Sequence, residues 1–187
     1  MRRILFLCSV VMLAVASSCV STANLTPEQR EAREAEKRAQ AITDSLQFVK
    51  AASGLETMDF VLEADKLVFK RGQIAYVNSA TNFISAAKGR AVVQVAPFNG
   101  GGPNGVGGVT VEGSATNISY TIDKKGNAIL HMNVNGVGVS ATVSITLYKG
   151  SNQATAVISP NFNSNRITLE GLIWRSSESA IFKGRSL

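Results

Sequence analysis

The chain has 187 residues, a formal net charge of +6 and a hydrophobic content of 45%, enough for one domain with a core of its own. Both cysteines, Cys8 and Cys19, precede the body of the chain, which excludes a disulfide framework or a thiolate metal site downstream of Cys19. The basic residues sit at turns (Lys70-Arg71, Lys88/Arg90, Lys124-Lys125, Lys183/Arg185) rather than in a stripe interleaved with aromatics, so nucleic acid is not an expected partner.

Residues 1–23 read as a signal sequence and its cleavage zone. Arg2 and Arg3 form a positive n-region and Ile4 to Ala16 an apolar h-region, too short for a helix crossing a hydrocarbon core of ~30 Å. Two cuts are compatible with the residues. Ala16-Ser17-Ser18-Cys19 sets small residues before a cysteine, as lipoprotein processing requires, while Ser21-Thr22-Ala23 offers an ordinary cut before Asn24. The first leaves an acylated Cys19 and a membrane tether, since several acyl chains hold a protein to a bilayer where one hardly does; the second releases the domain. No other link to a membrane is expected.

Residues 24–54 read as a helical spacer. Thr26-Pro27-Glu28-Gln29 has the spacing of a capping box, with proline at the first helical position. The adjoining EQREAREAEKRAQ is charged all round, with Glu34 and Arg38 at ion-pair spacing, whereas Ala39, Ile42, Leu46 and Val49 recur at three- and four-residue steps. That seam is the face expected to pack on the domain; as a coiled coil it spans too few heptads.

Residues 55–187 switch to a period of two. Phe60/Leu62/Ala64 and Leu67/Phe69 fall on opposite parities, which predicts a bulge near Asp65-Lys66. Asn82 to Ala86 and Ala91 to Ala96 bracket Lys88-Gly89 as a hairpin, and the glycine-rich stretch Asn99 to Gly108 comes next. The strand from Val109 changes parity around Gly113-Ser114 before Ile118, Tyr120 and Ile122. Asp123 to Asn127 turns the chain into Ala128, Leu130, Met132 and Val134. Val137 to Leu147 alternates apolar residues with Ser140, Thr142, Ser144 and Thr146, one dry face and one wet face. Gln153 to Ile158 and Ile167 to Ile173 complete about eight strands at hairpin spacing with no helix between them. The expected fold is mainly β, an N-terminal helix and then an up-and-down antiparallel barrel, with a two-layer sandwich as the alternative.

Chemistry is sparse in the pattern. The single histidine, His131, alternates with apolar neighbours on a strand, and no nucleophile elbow or H-E-x-x-H accompanies it. Asp59, Glu63, Asp65, Glu112, Asp123 and Glu170 are the acids from which a glycosidase-like pair would be drawn, with Glu63 and Asp65 sharing parity. Gly100-x-Gly102-x-x-Gly105 meets the dinucleotide spacing but leads into a strand rather than a helix, so no cofactor is expected, and no calcium loop appears. Two loops remain as ligand or partner sites: Gly102, Asn104 and Gly105 in the glycine-rich stretch, and Asn161, Asn163, Asn165 and Arg166 in the second.

Five runs carry a likeness: DFVLEADKLVFKRGQIAYVNSATNF (Asp59 to Phe83), GPNGVGGVTVEG (Gly102 to Gly113), DKKGNAILHMNVNGVG (Asp123 to Gly138), LYKGSNQATAVISPNFNSNRITLEG (Leu147 to Gly171) and FKGRSL (Phe182 to Leu187). They resemble the bacterial family catalogued as domain of unknown function 4251. The resemblance implies an exported protein of the Gram-negative envelope and no reaction, and it transfers no catalytic residue. The expectation is therefore a non-catalytic envelope module, periplasmic or anchored to the outer membrane, that meets another envelope protein. The alternatives are a carrier holding a small apolar ligand inside the barrel, and a carboxylate-dependent hydrolase. Oligomeric state is not legible.

Overall fold

The computed structural model describes residues 26–96, 108–137, 139–161 and 166–183. The chain divides into one unit ending at Gln40 and a second beginning at Ala41. In the first, the described residues belong to helix α1 (Pro27–Glu56). Its start is a reciprocal cap: the Gln29 N–H donates to Thr26 Oγ1 at 3.3 Å and the Thr26 N–H to Gln29 Oε1 at 3.0 Å. Every residue from Thr26 to Thr43 is exposed.

The described residues of the second unit form nine strands: β1 (Phe60–Phe69), β2 (Ile74–Tyr76), β3 (Phe83–Ala87), β4 (Arg90–Val95), β5 (Val109–Ile122), β6 (Ala128–Gly136), β7 (Ser140–Leu147), β8 (Gln153–Pro160) and β9 (Ile167–Trp174). Among the described residues β1 pairs antiparallel with β3, each of β3 to β8 with the next, and β9 returns to β1, so β1 and β3 to β9 close an eight-stranded barrel. β2 is an extra strand. It lies on the same edge of β1 as β3 but beside Lys66 to Val68, whereas β3 takes Phe60 to Glu63. Barrel, not sandwich, is the outcome that hairpin connections and bulges favour.

The bulges fall where long strands turn. In β1 the register to β9 shifts between Ala64 and Lys66, as the parity change predicts. In β5 the shift to β6 lies between Thr116 and Ser119, later than the expected Gly113-Ser114. Gly113 serves another purpose: a Cβ there would overlap the Asn135 carbonyl of β6, just as a Cβ on Gly171 would overlap the Glu63 carbonyl beside the β1 bulge. Close backbone approach, not a change of parity, requires glycine at both places.

Inside, one buried cluster runs from Phe60 and Leu62 through Leu130, Met132, Val143, Ile145 and Leu147 to Leu169 and Ile173. Ala51 and Leu55 of α1 belong to it, with Phe48 and Ala52 packed against it. The helix seam needs correction. Ile42, Leu46 and Val49 are 63%, 62% and 60% exposed. The buried stripe is instead Phe48, Ala51, Ala52 and Leu55, also at helical spacing, because only the last two turns reach the core.

A second, outer layer covers part of the barrel. Val61, Phe83 and Val92 face outward yet are buried, and Ile181 of the C-terminal segment packs on them. That segment leaves β9 through a single 3-10 turn, Ser176–Glu178.

Candidate functional site

The C-terminal segment is fastened to the outer wall by polar contacts as well as by Ile181. Gln94 on β4 is fully buried. Its Nε2 donates to the carbonyls of Thr81 and Phe182, both at 2.9 Å, and its Oε1 accepts from Thr110 Oγ1 at 3.2 Å. The Phe182 N–H donates to the Ala80 carbonyl at 2.8 Å. Ser179 Oγ donates to Glu63 Oε1 at 2.5 Å. Lys183 reaches Glu112 at 2.8 Å, and Arg90 approaches the same carboxylate at 3.3 Å. The hydrogen bond from Lys183 holds the Glu112 carboxyl below its usual range, with Arg90 adding to the effect.

Where α1 meets the barrel, a cleft of about 200 Å3 is lined by Gln47, Lys50, Ala51, Asn152, Ile173, Trp174, Arg175 and Glu178. Local structure sets each of these groups. Asn152, buried in the turn between β7 and β8, donates from Nδ2 to the Ile173 carbonyl at 3.2 Å and accepts at its own carbonyl from the Ile173 N–H at 2.9 Å. Lys50 Nζ bonds Glu178 Oε1 at 3.0 Å. Arg175 donates to Thr57 Oγ1 at 3.0 Å and lies 3.8 Å from Asp59. The cleft thus sets amides and Trp174, the one tryptophan of the chain, beside cations that already have counter-charges. It offers a small surface for recognition and no nucleophile with a base beside it. The sequence carried one signal for it, a lone tryptophan closing the last strand.

The acids weighed for catalysis are spread over the molecule. Asp59 faces Arg175, Glu63 lies under the C-terminal segment, Asp65 is exposed at the bulge, and Glu170 takes Lys66 Nζ at 2.8 Å. That hydrogen bond raises the Lys66 pKa. Asp123 closes the turn between β5 and β6, where the Asn127 N–H and side chain, with the Lys125 N–H, lower its pKa. Among the described residues no three His, Cys, Asp or Glu side chains cluster to hold a metal. His131 is exposed on β6, between Ser119 and Ser144 on the neighbouring strands.

Of the loop residues singled out by sequence, Gly102, Asn104, Gly105, Asn163 and Asn165 lie outside the described residues, as does Cys19. Asn161 is described, and its role is local: its N–H donates to the Ser140 carbonyl at 3.0 Å and its Nδ2 to Ser140 Oγ at 2.8 Å, closing the end of the β7–β8 ladder. Arg166 is exposed just before β9.

The barrel and its helix have known relatives. The model of a family described as a domain of unknown function, DUF4251, matches residues 43–173. The chain belongs to this family. The crystal structure of a DUF4251 family protein from Bacteroides eggerthii DSM 20697 is similar, with 44% identity and a TM-score of 0.67 over 79% of this chain and 99% of that one. No curated protein matches. The DUF4251 match begins inside α1 and ends in β9, so it takes in the buried helical stripe and the whole barrel wall.

Proposed function

We propose that this DUF4251 protein is a non-catalytic module of the cell envelope that works by docking from its outer surface. One observation carries the reading: the inward positions that would line a ligand cavity, among them Leu130, Met132, Val143, Ile145 and Leu169, are occupied by the chain's own side chains in one continuous cluster. An eight-stranded barrel is just wide enough for side chains to fill it, and Ala51 and Leu55 of α1 add to the same cluster. The dispersal of the acids supports the same conclusion, because general acid and base work needs two groups converging on one substrate atom. The two carboxyls with shifted pKa values, Glu112 and Asp123, are both lowered, the wrong direction for a proton donor at neutral pH.

The residues before Cys19 export the chain, Cys19 becomes the N-terminus and takes the lipid, and the first half of α1, exposed all round, is the spacer. Two experiments test this. Native mass spectrometry with lipid extraction, on protein purified from its own host, is expected to show no retained small molecule; a stoichiometric apolar compound overturns docking in favour of a carrier. Labelled palmitate is expected to enter the wild type and not Cys19→Ala; no label in either, or equal label in both, overturns the anchor.

A further inference from the structure

The wall of the barrel has a step. β4 begins at Arg90, opposite Ser114 of β5, and the last bond across that pair runs from the Ala115 N–H to the Gly89 carbonyl at 3.1 Å. β5 continues to Ile122 with β6 on one side. On its other side, from Thr116 to Ile122, no strand lies alongside among the described residues.

Alternate residues of a strand turn their N–H and C=O groups to opposite sides. The Asp123 N–H donates to the Asn127 carbonyl at 2.9 Å at the mouth of the hairpin. Thr121 therefore faces β6, and Tyr120 and Ile122 present their backbone groups to the open edge. Ile118 and Ile122 are 46% and 56% exposed, and Tyr120 is half-buried against the core. The stretch TNISYTI holds no charge and no proline; the bulge between Thr116 and Ser119, where Asn117 takes a φ of 50°, blunts its first half, so the regular open edge is Ser119 to Ile122.

Charge selects the occupant. Lys88, in the turn before β4, stands at one end of the open edge, and Lys124 and Lys125 stand at the other, all exposed. Glu56 is the acid near Tyr120; burial chiefly, and Glu56 after it, raise the tyrosine pKa. A second copy paired antiparallel about Tyr120 would set its Lys124-Lys125 against Lys88, twice over, and like charges placed together in an interface are costly.

We infer that the open edge of β5, Ser119 to Ile122, receives by strand addition an extended segment of a partner protein, uncharged in its middle and carboxylate-bearing at both ends. Main-chain bonds to Tyr120 and Ile122 supply the attachment. Alternating apolar residues of the guest lie against Ile118, Tyr120 and Ile122, and its acids meet the lysines. This rests on the docking reading above and names the kind of partner.

Fluorescence anisotropy on the full chain, purified after its own processing, tests it with a labelled peptide Glu-Asp-Thr-Val-Thr-Ile-Thr-Val-Asp-Glu and a counterpart carrying lysines for the acids. The acid-ended peptide is expected to bind at least about tenfold more tightly. Ile122→Pro removes an outward N–H and is expected to weaken binding by about tenfold or more. Lys124→Glu with Lys125→Glu is expected to reverse the order of the two peptides, and this surface variant keeps the test decisive should the proline variant fail to fold. Equal binding of both peptides, or no binding, overturns the inference. So does a wild-type dimer that Ile122→Pro dissociates, which would give the edge to a second copy. Failure of the peptide alongside a partner cross-linked elsewhere on the surface removes this edge and leaves docking standing; a stoichiometric apolar compound removes docking itself.

Discussion

Two walls of the same barrel obey different rules. In β7 and β8 the inward residues Ala141, Val143, Ile145, Leu147, Ala154, Ala156 and Ile158 are buried, while the residues between them reach solvent to varying degrees. Where β1, β3 and β4 run side by side, the outward residues Val61, Phe83, Val92 and Gln94 are buried as well, under Ile181 and the segment that carries it. Strand alternation thus reports one apolar environment in the first wall and two in the second. A run such as Ala91 to Ala96, apolar at nearly every position, is the trace of that second layer.

The largest expected effect lies where the two walls close. Gly171→Val drives a side chain into the Glu63 and Ala64 backbone, and the β1–β9 seam is expected to lose about 4 kcal/mol or more; soluble yield and thermal unfolding report it. Next comes a matched pair on outward positions. Val92→Lys puts a charge under the C-terminal segment and is expected to cost about 3 kcal/mol or more, whereas Thr142→Lys on the exposed face of β7 is expected to stay within about 0.5 kcal/mol. Equal penalties in denaturant unfolding would erase the distinction between the walls. Gln94→Ala removes the donor that the Thr81 and Phe182 carbonyls share, at about 2 kcal/mol. Hydrogen exchange should locate that loss at Phe182 rather than in β7.

The smallest effect is in pH. Glu112 has its folded pKa below the ordinary 4.5, through Lys183 first and then Arg90. Its contribution is therefore complete above pH 4.5 and is lost as pH falls through the lowered folded value. Acid should loosen the C-terminal segment before the β7–β8 wall, and Lys183→Ala should flatten that difference while changing stability at neutral pH by under about 1 kcal/mol.

The strands and their hairpins were readable because each turn carried its own chemistry and each inward face its period, as in Val139 to Leu147 and in the Lys88-Gly89 and Asp123 to Asn127 turns. The bulge in β1 was readable as a change of parity. Beyond the short strand β2 and the place of the β5 bulge, three further things were not. The helix seam at Ile42, Leu46 and Val49 has the right spacing but sits where α1 no longer touches the core, and periodicity says nothing about which turns find a partner. The outer layer depends on Ile181 and Phe182, which lie about 90 to 120 residues along the chain from the strand residues they cover, a pairing that no local pattern encodes. The cleft around Trp174 draws its residues from α1, the β7–β8 turn and the end of β9, so it exists only after the barrel has closed. The acids had been legible as residues but not as neighbours, and the structure gives each a separate place.

Both walls share one interior, and docking from the outer surface requires that interior to be full. Methyl NMR of Leu130, Val143, Ile145 and Leu169 under xenon pressure measures this directly, since xenon enters dry cavities and shifts the methyls around them. A filled barrel predicts no saturable shift at any of the four. Saturable shifts at these methyls would reveal a cavity and contradict docking in favour of a carrier.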